Sequence, residues 1–300
     1  MLELNSRFLI GSYKKAVEVE SRTGNNPLEE LLSVMFDSNM IDGILSSRIE
    51  GEFSVPFLVV KGDRVEVPSL NRFFGSVALL KKAIQKYRLS RIAVVAPSCA
   101  IDGLNKTQYY GIGCNWVKTA VALKVGILCT GSLTGKALTA EVLHLTGKEK
   151  RIKRFFYDGG LFYQTEEGEL IPVNLSVHHH YINAACRYCL NLSAKGTDIT
   201  YFPLKEENRA VFIVRSERGW RVVASVQKER PELFRFRRLK KEDLEGIVSL
   251  LREKALLNID DILERVELGL PVPKWNDNKL RKFYRIWNAV EDYNFEEEVF

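Results

Sequence analysis

Arg91-Ile-Ala-Val-Val-Ala-Pro97-Ser98-Cys99 and, further along, Lys124-Val-Gly-Ile-Leu128-Cys129 share one design. Each is a short apolar run without helical spacing, the pattern of a strand buried on both faces. Each ends directly at a cysteine. Placed parallel in one sheet, both strands put their thiols at carboxyl ends, the edge where open α/β sheets bind ligands. The second run continues into Thr130-Gly-Ser-Leu-Thr, with a helix predicted over residues 137–145.

Working outward, Asn26 before Pro27 predicts a capped helix start leading into Leu28-Glu-Glu-Leu-Leu-Ser-Val-Met-Phe. Strands are predicted over residues 43–49, 54–60 and 64–67, and a helix over 75–86, where apolar residues recur at helical spacing. After Lys150 the texture changes to antiparallel strands joined at glycine turns: Arg154-Phe-Phe-Tyr-Asp-Gly-Gly-Leu-Phe-Tyr-Gln, then Glu167-Gly-Glu-Leu-Ile-Pro-Val. Further strands are predicted at 198–202, 210–215 and 220–226, with Glu217-Arg-Gly219 as the turn before the last. From Lys241 the chain reads as helices and closes on Glu296-Glu-Glu298. The expected fold is mixed α/β. Its parallel strands end at Cys99 and Cys129, antiparallel strands fill the second half, and a core at 1–240 is followed by a C-terminal helical appendage at 241–300.

Composition narrows the function classes. The chain has 300 residues, 46% hydrophobic and 27% charged, near the globular average. That excludes a disordered chain, a collagen-like repeat and a disulfide mini-scaffold. No apolar run approaches the roughly 18 residues of a membrane span, and the first residues lack a signal-peptide pattern, so a cytoplasmic location is expected. In that compartment the five cysteines are reduced thiols or metal ligands. The net charge of +6 permits weak attraction to anions. The cluster Phe234-Arg-Phe-Arg-Arg-Leu-Lys-Lys241 fits a solvated strand edge or helix entry, and without a nucleic-acid motif beside it nucleic acid is not an expected partner.

Cys186-Arg-Tyr-Cys189 is a C-x-x-C pair, a spacing that lets two sulfurs face one metal centre. A redox dithiol normally follows a strand at a helix start, and no such pattern precedes this pair. The spacing alone leaves two readings of Cys99 and Cys129: further ligands, or ordinary buried cysteines. Four thiolates from three segments suit a 4Fe–4S cluster. His178-His-His180 fits a surface or loop tract, since adjacent residues do not converge on one ion. Gly131-Ser-Leu-Thr-Gly-Lys136 lacks the phosphate-loop register, leaving a helix N-terminus that could attract an anion.

Taken together, Val95-Ala-Pro-Ser-Cys99-Ala-Ile-Asp-Gly-Leu-Asn-Lys106-Thr-Gln108, Gly126-Ile-Leu-Cys129-Thr-Gly, Cys186-x-x-Cys189, Asp198-Ile199 and Val211-Phe-Ile-Val-Arg215 resemble the beta-subunit family of coenzyme F420 hydrogenases and dehydrogenases. The resemblance covers most of residues 1–219 and is strongest over 92–219. It implies an iron–sulfur flavoprotein oxidoreductase subunit, in which FAD exchanges a hydride with coenzyme F420 as substrate. A 4Fe–4S cluster then passes single electrons to a redox partner subunit or ferredoxin within a hetero-oligomer. By that resemblance Cys99, Cys129, Cys186 and Cys189 are cluster ligands and Cys114 is structural. Lys106, Gln108 and Asp198 are the implied cofactor-side residues.

The chain departs from the family at three places. Gly24-Asn-Asn-Pro27 stands where the family has Asp-Gly-Gly, and Leu70-Asn-Arg-Phe-Phe-Gly75 where it has Ser/Thr-Arg-Tyr before Ser-Pro. Asn191 replaces an aspartate after the C-x-x-C pair. The cluster is thus implied through an intact set of residues, and FAD and coenzyme F420 only through altered loops. The alternative is a cluster-bearing electron-transfer or structural subunit without flavin.

Overall fold

The computed structural model describes residues 6–50, 53–67, 77–110 and 115–271. Its frame is an eight-stranded mixed sheet. The strands are β1 (Lys15–Ser21), β2 (Gly43–Glu50), β3 (Phe53–Val60), β4 (Ile92–Pro97) and β5 (Val121–Ile127), and later in the chain β9 (Ile199–Pro203), β10 (Arg209–Val214) and β11 (Phe234–Arg238). Between the two groups, β6 (Ile152–Tyr157), β7 (Leu161–Thr165) and β8 (Leu170–Pro172) form a separate antiparallel sheet. The large sheet runs β11-β1-β10-β9-β5-β4-β2-β3. Its centre is parallel: β2 pairs with β4, β4 with β5, and β5 with β9. The flanks are antiparallel.

The helices are α1 (Ser6–Ile10), α2 (Pro27–Asp37), α3 (Val77–Tyr87), α4 (Ser98–Tyr110), α5 (Asn115–Ala120), α6 (Gly135–Thr146), α7 (Leu175–Tyr181), α8 (Glu217–Glu229) and α9 (Glu245–Glu267). Every residue of β4 is buried. Its two faces feed different cores. Ala93 and Val95 pack into the main core with Leu31 of α2 and Val223 of α8. Ile92, Val94 and Ala96 pack with Leu80 of α3, Leu104 of α4 and Val117 of α5. This two-sided burial is why the strand carries an unbroken apolar run.

The capped start of α2 is as predicted: Asn26 accepts from the N–H groups of Leu28 and Glu29, with Pro27 in the first turn. The predicted helix at 75–86 corresponds to α3, with residues 75–76 outside the described residues. Cys114, residues 70–75 and residues 296–298 also lie outside them.

Three expectations are corrected. Residues 64–67 form no strand. They follow β3 at the sheet edge, and the Val67 N–H bonds instead to the Glu29 carboxylate at 3.1 Å. Residues 220–226 are helical, within α8. Ser216 caps this helix by accepting from the Gly219 N–H at 3.0 Å, and Val222, Val223 and Val226 form one buried stripe. The β-branched run suggested a strand, but cap and period govern here. Gly219 is needed because a Cβ there would lie 2.4 Å from the Asp198 carbonyl oxygen.

The third correction concerns the histidines, which sit on α7 rather than in a surface tract. His178 and His179 are buried, each facing a carboxylate. His178 Nδ1 lies 2.9 Å from Glu141, which also accepts from the Tyr163 hydroxyl at 3.0 Å. Consecutive residues on a helix point about 100° apart, so the pair serves two different neighbours.

Candidate metal centre

Cys99 opens α4 directly after β4, and Cys129 follows β5. Because β4 and β5 are parallel neighbours, with Pro97 opposite Ile127, both cysteines emerge at the same sheet edge. Cys186 and Cys189 lie on and just after a 3-10 turn, Ala184–Tyr188, capped by Asn183. That turn is stitched to the Cys129 loop by backbone bonds. The Asn183 N–H donates to Ser132 O at 2.8 Å, and the Cys129 N–H to Leu192 O at 3.1 Å. The Ser132 N–H points at the Cys186 sulfur, 3.3 Å away. Gly131 makes this approach possible. Its φ is +146°, and a Cβ would stand 2.4 Å from Ile182 Cγ2, just ahead of the C-x-x-C turn.

The four thiols act electrostatically as one group. Burial pushes Cys99 up, and the charges of Cys186 and Asp102 push it further. Burial raises Cys129 well above the ordinary thiol value, with Cys186, Cys99 and Cys189 adding to it. Burial likewise pushes Cys189 up to about 12, and Cys99 and Cys186 contribute. A positive centre among them would reverse this by stabilising thiolates. Among the described residues, no three Cys, His, Asp or Glu side chains form a ready cage for one metal ion. The donor chemistry fits an iron–sulfur group: four reduced thiols from three segments, and a backbone N–H directed at one sulfur.

Asp102, one turn after Cys99 on α4, joins the same edge. Its Oδ2 accepts from Asn191 Nδ2 at 2.7 Å, and its buried Oδ1 has no partner. Burial pushes its pKa up to about 6, against the pull of Asn191 and of Lys106, Lys195 and Lys124. Asn191 Oδ1 accepts from the Lys195 N–H at 3.1 Å. An amide at 191 therefore serves an acceptor and a donor at once, while a second carboxylate would face Asp102.

The implied cofactor-side residues are placed differently. Lys106 is exposed on α4. Gln108 is engaged at both ends of its amide: Nε2 donates to Val117 O at 3.4 Å, and Oε1 lies 3.5 Å from Lys124 Nζ. Asp198 is fully buried at the start of β9, level with Lys124 in mid-β5 rather than with Cys129 beyond its end. Its carboxylate accepts from the Lys124 N–H at 2.7 Å and from the Ser216 hydroxyl at 2.5 Å, which ties β5 to the cap of α8.

Sequence reasoning missed a contribution from α9. Asn258 donates to the carbonyl oxygens of Cys186, at 3.1 Å, and of Cys189. Lys254 Nζ lies 2.8 Å from Asn258 Oδ1 and 2.7 Å from His179 Nδ1. Both α9 residues are buried beside Ile247, Leu251, Ala255 and Ile262 on one helix face. Two polar residues interrupting an apolar stripe were the available signal.

The architecture defines a class: an α/β protein that gathers four thiols at the carboxyl edge of a mixed sheet. Residues 89–233 match the family model for the C terminus of the coenzyme F420 hydrogenase/dehydrogenase beta subunit. A coenzyme F420 hydrogenase subunit beta from Methanothermobacter thermautotrophicus is 24% identical over 286 residues, covering 88% of this chain and 99% of the relative. One from Methanococcus voltae is 23% identical over 201 residues, covering 66% of this chain and 71% of the relative. A chain in the structure of the F420-reducing NiFe hydrogenase complex from Methanosarcina barkeri shares the fold, with a TM-score of 0.71 at 19% identity, over 91% of this chain and 99% of that one. No described helix is long and apolar enough to cross a membrane.

Proposed function

We propose that this protein is an iron–sulfur electron-transfer subunit of a hetero-oligomeric oxidoreductase of the F420 hydrogenase/dehydrogenase type, with Cys99, Cys129, Cys186 and Cys189 as ligands of a 4Fe–4S cluster. The observation that carries the reading is the convergence of four reduced thiols from three chain segments on one sheet edge, joined by backbone bonds between the Cys129 loop and the C-x-x-C turn. The named relatives, hydrogenase beta subunits of similar length, support the assignment to an oxidoreductase with a redox partner subunit. A bound cluster supplies one-electron transfer, and FAD, where bound, exchanges a hydride with coenzyme F420 and single electrons with the cluster. The chain's own part is to fix the four sulfurs, aim the Ser132 N–H at Cys186, and keep the edge partly dry so that the group's charge is felt.

A second reading, a cluster-bearing subunit without flavin, is favoured by the engagement of Gln108 and Asp198 with protein groups. The visible spectrum of anaerobically purified protein, with iron, zinc and flavin counted per chain, decides between them. Flavin bands over a broad charge-transfer shoulder support the full reading, and a shoulder alone supports the second. A colourless chain holding zinc overturns both. Cys186→Ser is expected to remove most of the iron, whereas Cys114→Ser leaves it in place. Unchanged iron in the first variant means that the ligand assignment is wrong.

A further inference from the structure

The C-x-x-C turn is held from outside by α9. One Asn258 amide spans the carbonyls of Cys186 and Cys189, while the Ser132 N–H meets the Cys186 sulfur. The Asn258 carbonyl in turn holds the Lys254 ammonium, which His179 Nδ1 holds from α7, while Asp261 secures the other ring nitrogen of His179 at 3.0 Å. Only 1% of Lys254 is exposed, in the same apolar stripe as Leu251 and Ala255.

A buried ammonium is costly unless an anion answers it. Lys254's two bonded partners are both neutral acceptors, and Asp261, engaged with His179, answers the charge only from beyond the imidazole. Burial pushes the Lys254 pKa down to about 8, and thiolates at Cys129, Cys186 and Cys189, as a bound metal group would make them, would join Asp261 in favouring its ammonium form.

We infer that Lys254 and Asn258 are positioning residues of the thiol-bound group. Asn258 clamps the C-x-x-C turn, and Lys254 supplies a fixed buried positive charge that makes the group easier to reduce. The inference rests on the iron–sulfur reading above and extends it to a helix outside the matched family region. Residues 89–233 carry all four cysteines, and α9 begins at Glu245. The charge argument is general: an iron–sulfur centre gains a negative charge on reduction, and nearby charge and hydrogen bonds set its potential. Toward the thiols Asn258 reaches only main-chain carbonyls, while Lys254 keeps His179 as a second partner, so loss of Asn258 acts on retention more than on potential.

The test uses the full-length chain purified anaerobically, reduced stepwise with dithionite and followed by electron paramagnetic resonance. Lys254→Gln is expected to bind iron as the wild type does and to make one-electron reduction about tenfold less favourable, a shift of ~59 mV to more negative potential. Lys254→Arg, which keeps the charge, restores the wild-type value. Asn258→Ala is expected to lose iron to a chelator several-fold faster, with far-ultraviolet circular dichroism unchanged. Should Lys254→Gln fail to fold, Lys254→Met, which removes the charge from an unbranched side chain, takes its place in the potential measurement, and the chelator rate of Asn258→Ala stands beside it. Iron-loaded Lys254→Gln with an unmoved potential, or Asn258→Ala with an unchanged chelator rate, overturns this inference alone. A wild-type chain that takes up no iron overturns the cluster reading and the inference with it.

Discussion

A methyl group at position 131 would stand 2.4 Å from Ile182, on a backbone with φ of +146°. Gly131→Ala is therefore expected to cost about 1–3 kcal/mol through backbone strain, plus the displacement of Ile182. Gly147 is the natural control. It sits in the left-handed region at the end of α6, with open space around it, so Gly147→Ala carries only strain. Urea denaturation of both variants measures the difference. Equal losses would mean that the Cys129 loop and the C-x-x-C turn are not held by this close approach. The sequence displayed the cysteines but not this requirement, because a glycine two residues past a cysteine looks the same whether it turns, packs or does neither. Asp102 was hidden for a similar reason. It lay inside a quoted motif, and only the fold leaves one of its oxygens buried beside the thiols without a partner.

Element boundaries followed local chemistry where a cap or a two-sided burial pattern was present, as at α2, β4 and β5. They failed at α8, where the run through Val222, Val223 and Val226 is strand-like in composition but Ser216 caps a helix. The basic cluster at β11 shows how an edge strand is managed. Among the described residues β11 pairs only with β1, and Glu18 on β1 receives hydrogen bonds from Arg237 of β11 and Arg209 of β10. Burial raises the Glu18 pKa, but the two guanidinium groups outweigh it and hold the carboxyl below its ordinary 4.5. A depressed acid contributes stability above its unfolded value and loses it as pH falls through its folded one. Glu18→Gln is thus expected to cost about 1 kcal/mol at pH 7 after solvent screening, and progressively less as pH falls through the depressed folded pKa, where the wild type is itself protonated. Paired thermal melts between pH 3 and pH 7 check this. A gap that persists in acid would assign the loss to packing.

Across the whole molecule, the sheet order joins segments distant in sequence, and Arg215 shows how. Fully buried, it donates from Nε to Thr200 at 2.7 Å and from its terminal nitrogens to the carbonyls of Ile10 at 2.8 Å, Ser12 at 3.1 Å and Ser193 at 2.8 Å. One side chain thereby fixes the start of the chain to the segment that leads from the thiol edge into β9. Arg215→Met leaves those buried acceptors without a donor and is expected to cost roughly 3–5 kcal/mol. Early proteolytic cleavage near α1 would accompany the loss, and a variant with wild-type stability would show that water replaces the guanidinium. The parallel centre of the sheet was legible because two strands each ran into a cysteine. The long-range part was not, since no local pattern announces that position 215 reaches position 10, or that position 258 reaches position 186.

The last of those reaches has a consequence for how the protein is made. During synthesis Cys99, Cys129, Cys186 and Cys189 leave the ribosome well before Lys254 and Asn258, so for part of its life the nascent chain carries these thiols without the helix that holds the C-x-x-C turn. The sheet edge is then the open face of an unfinished molecule. If the iron–sulfur reading holds, a group delivered at that stage would enter a site whose C-x-x-C turn still lacks the Asn258 bonds, and the arrival of α9 would add them.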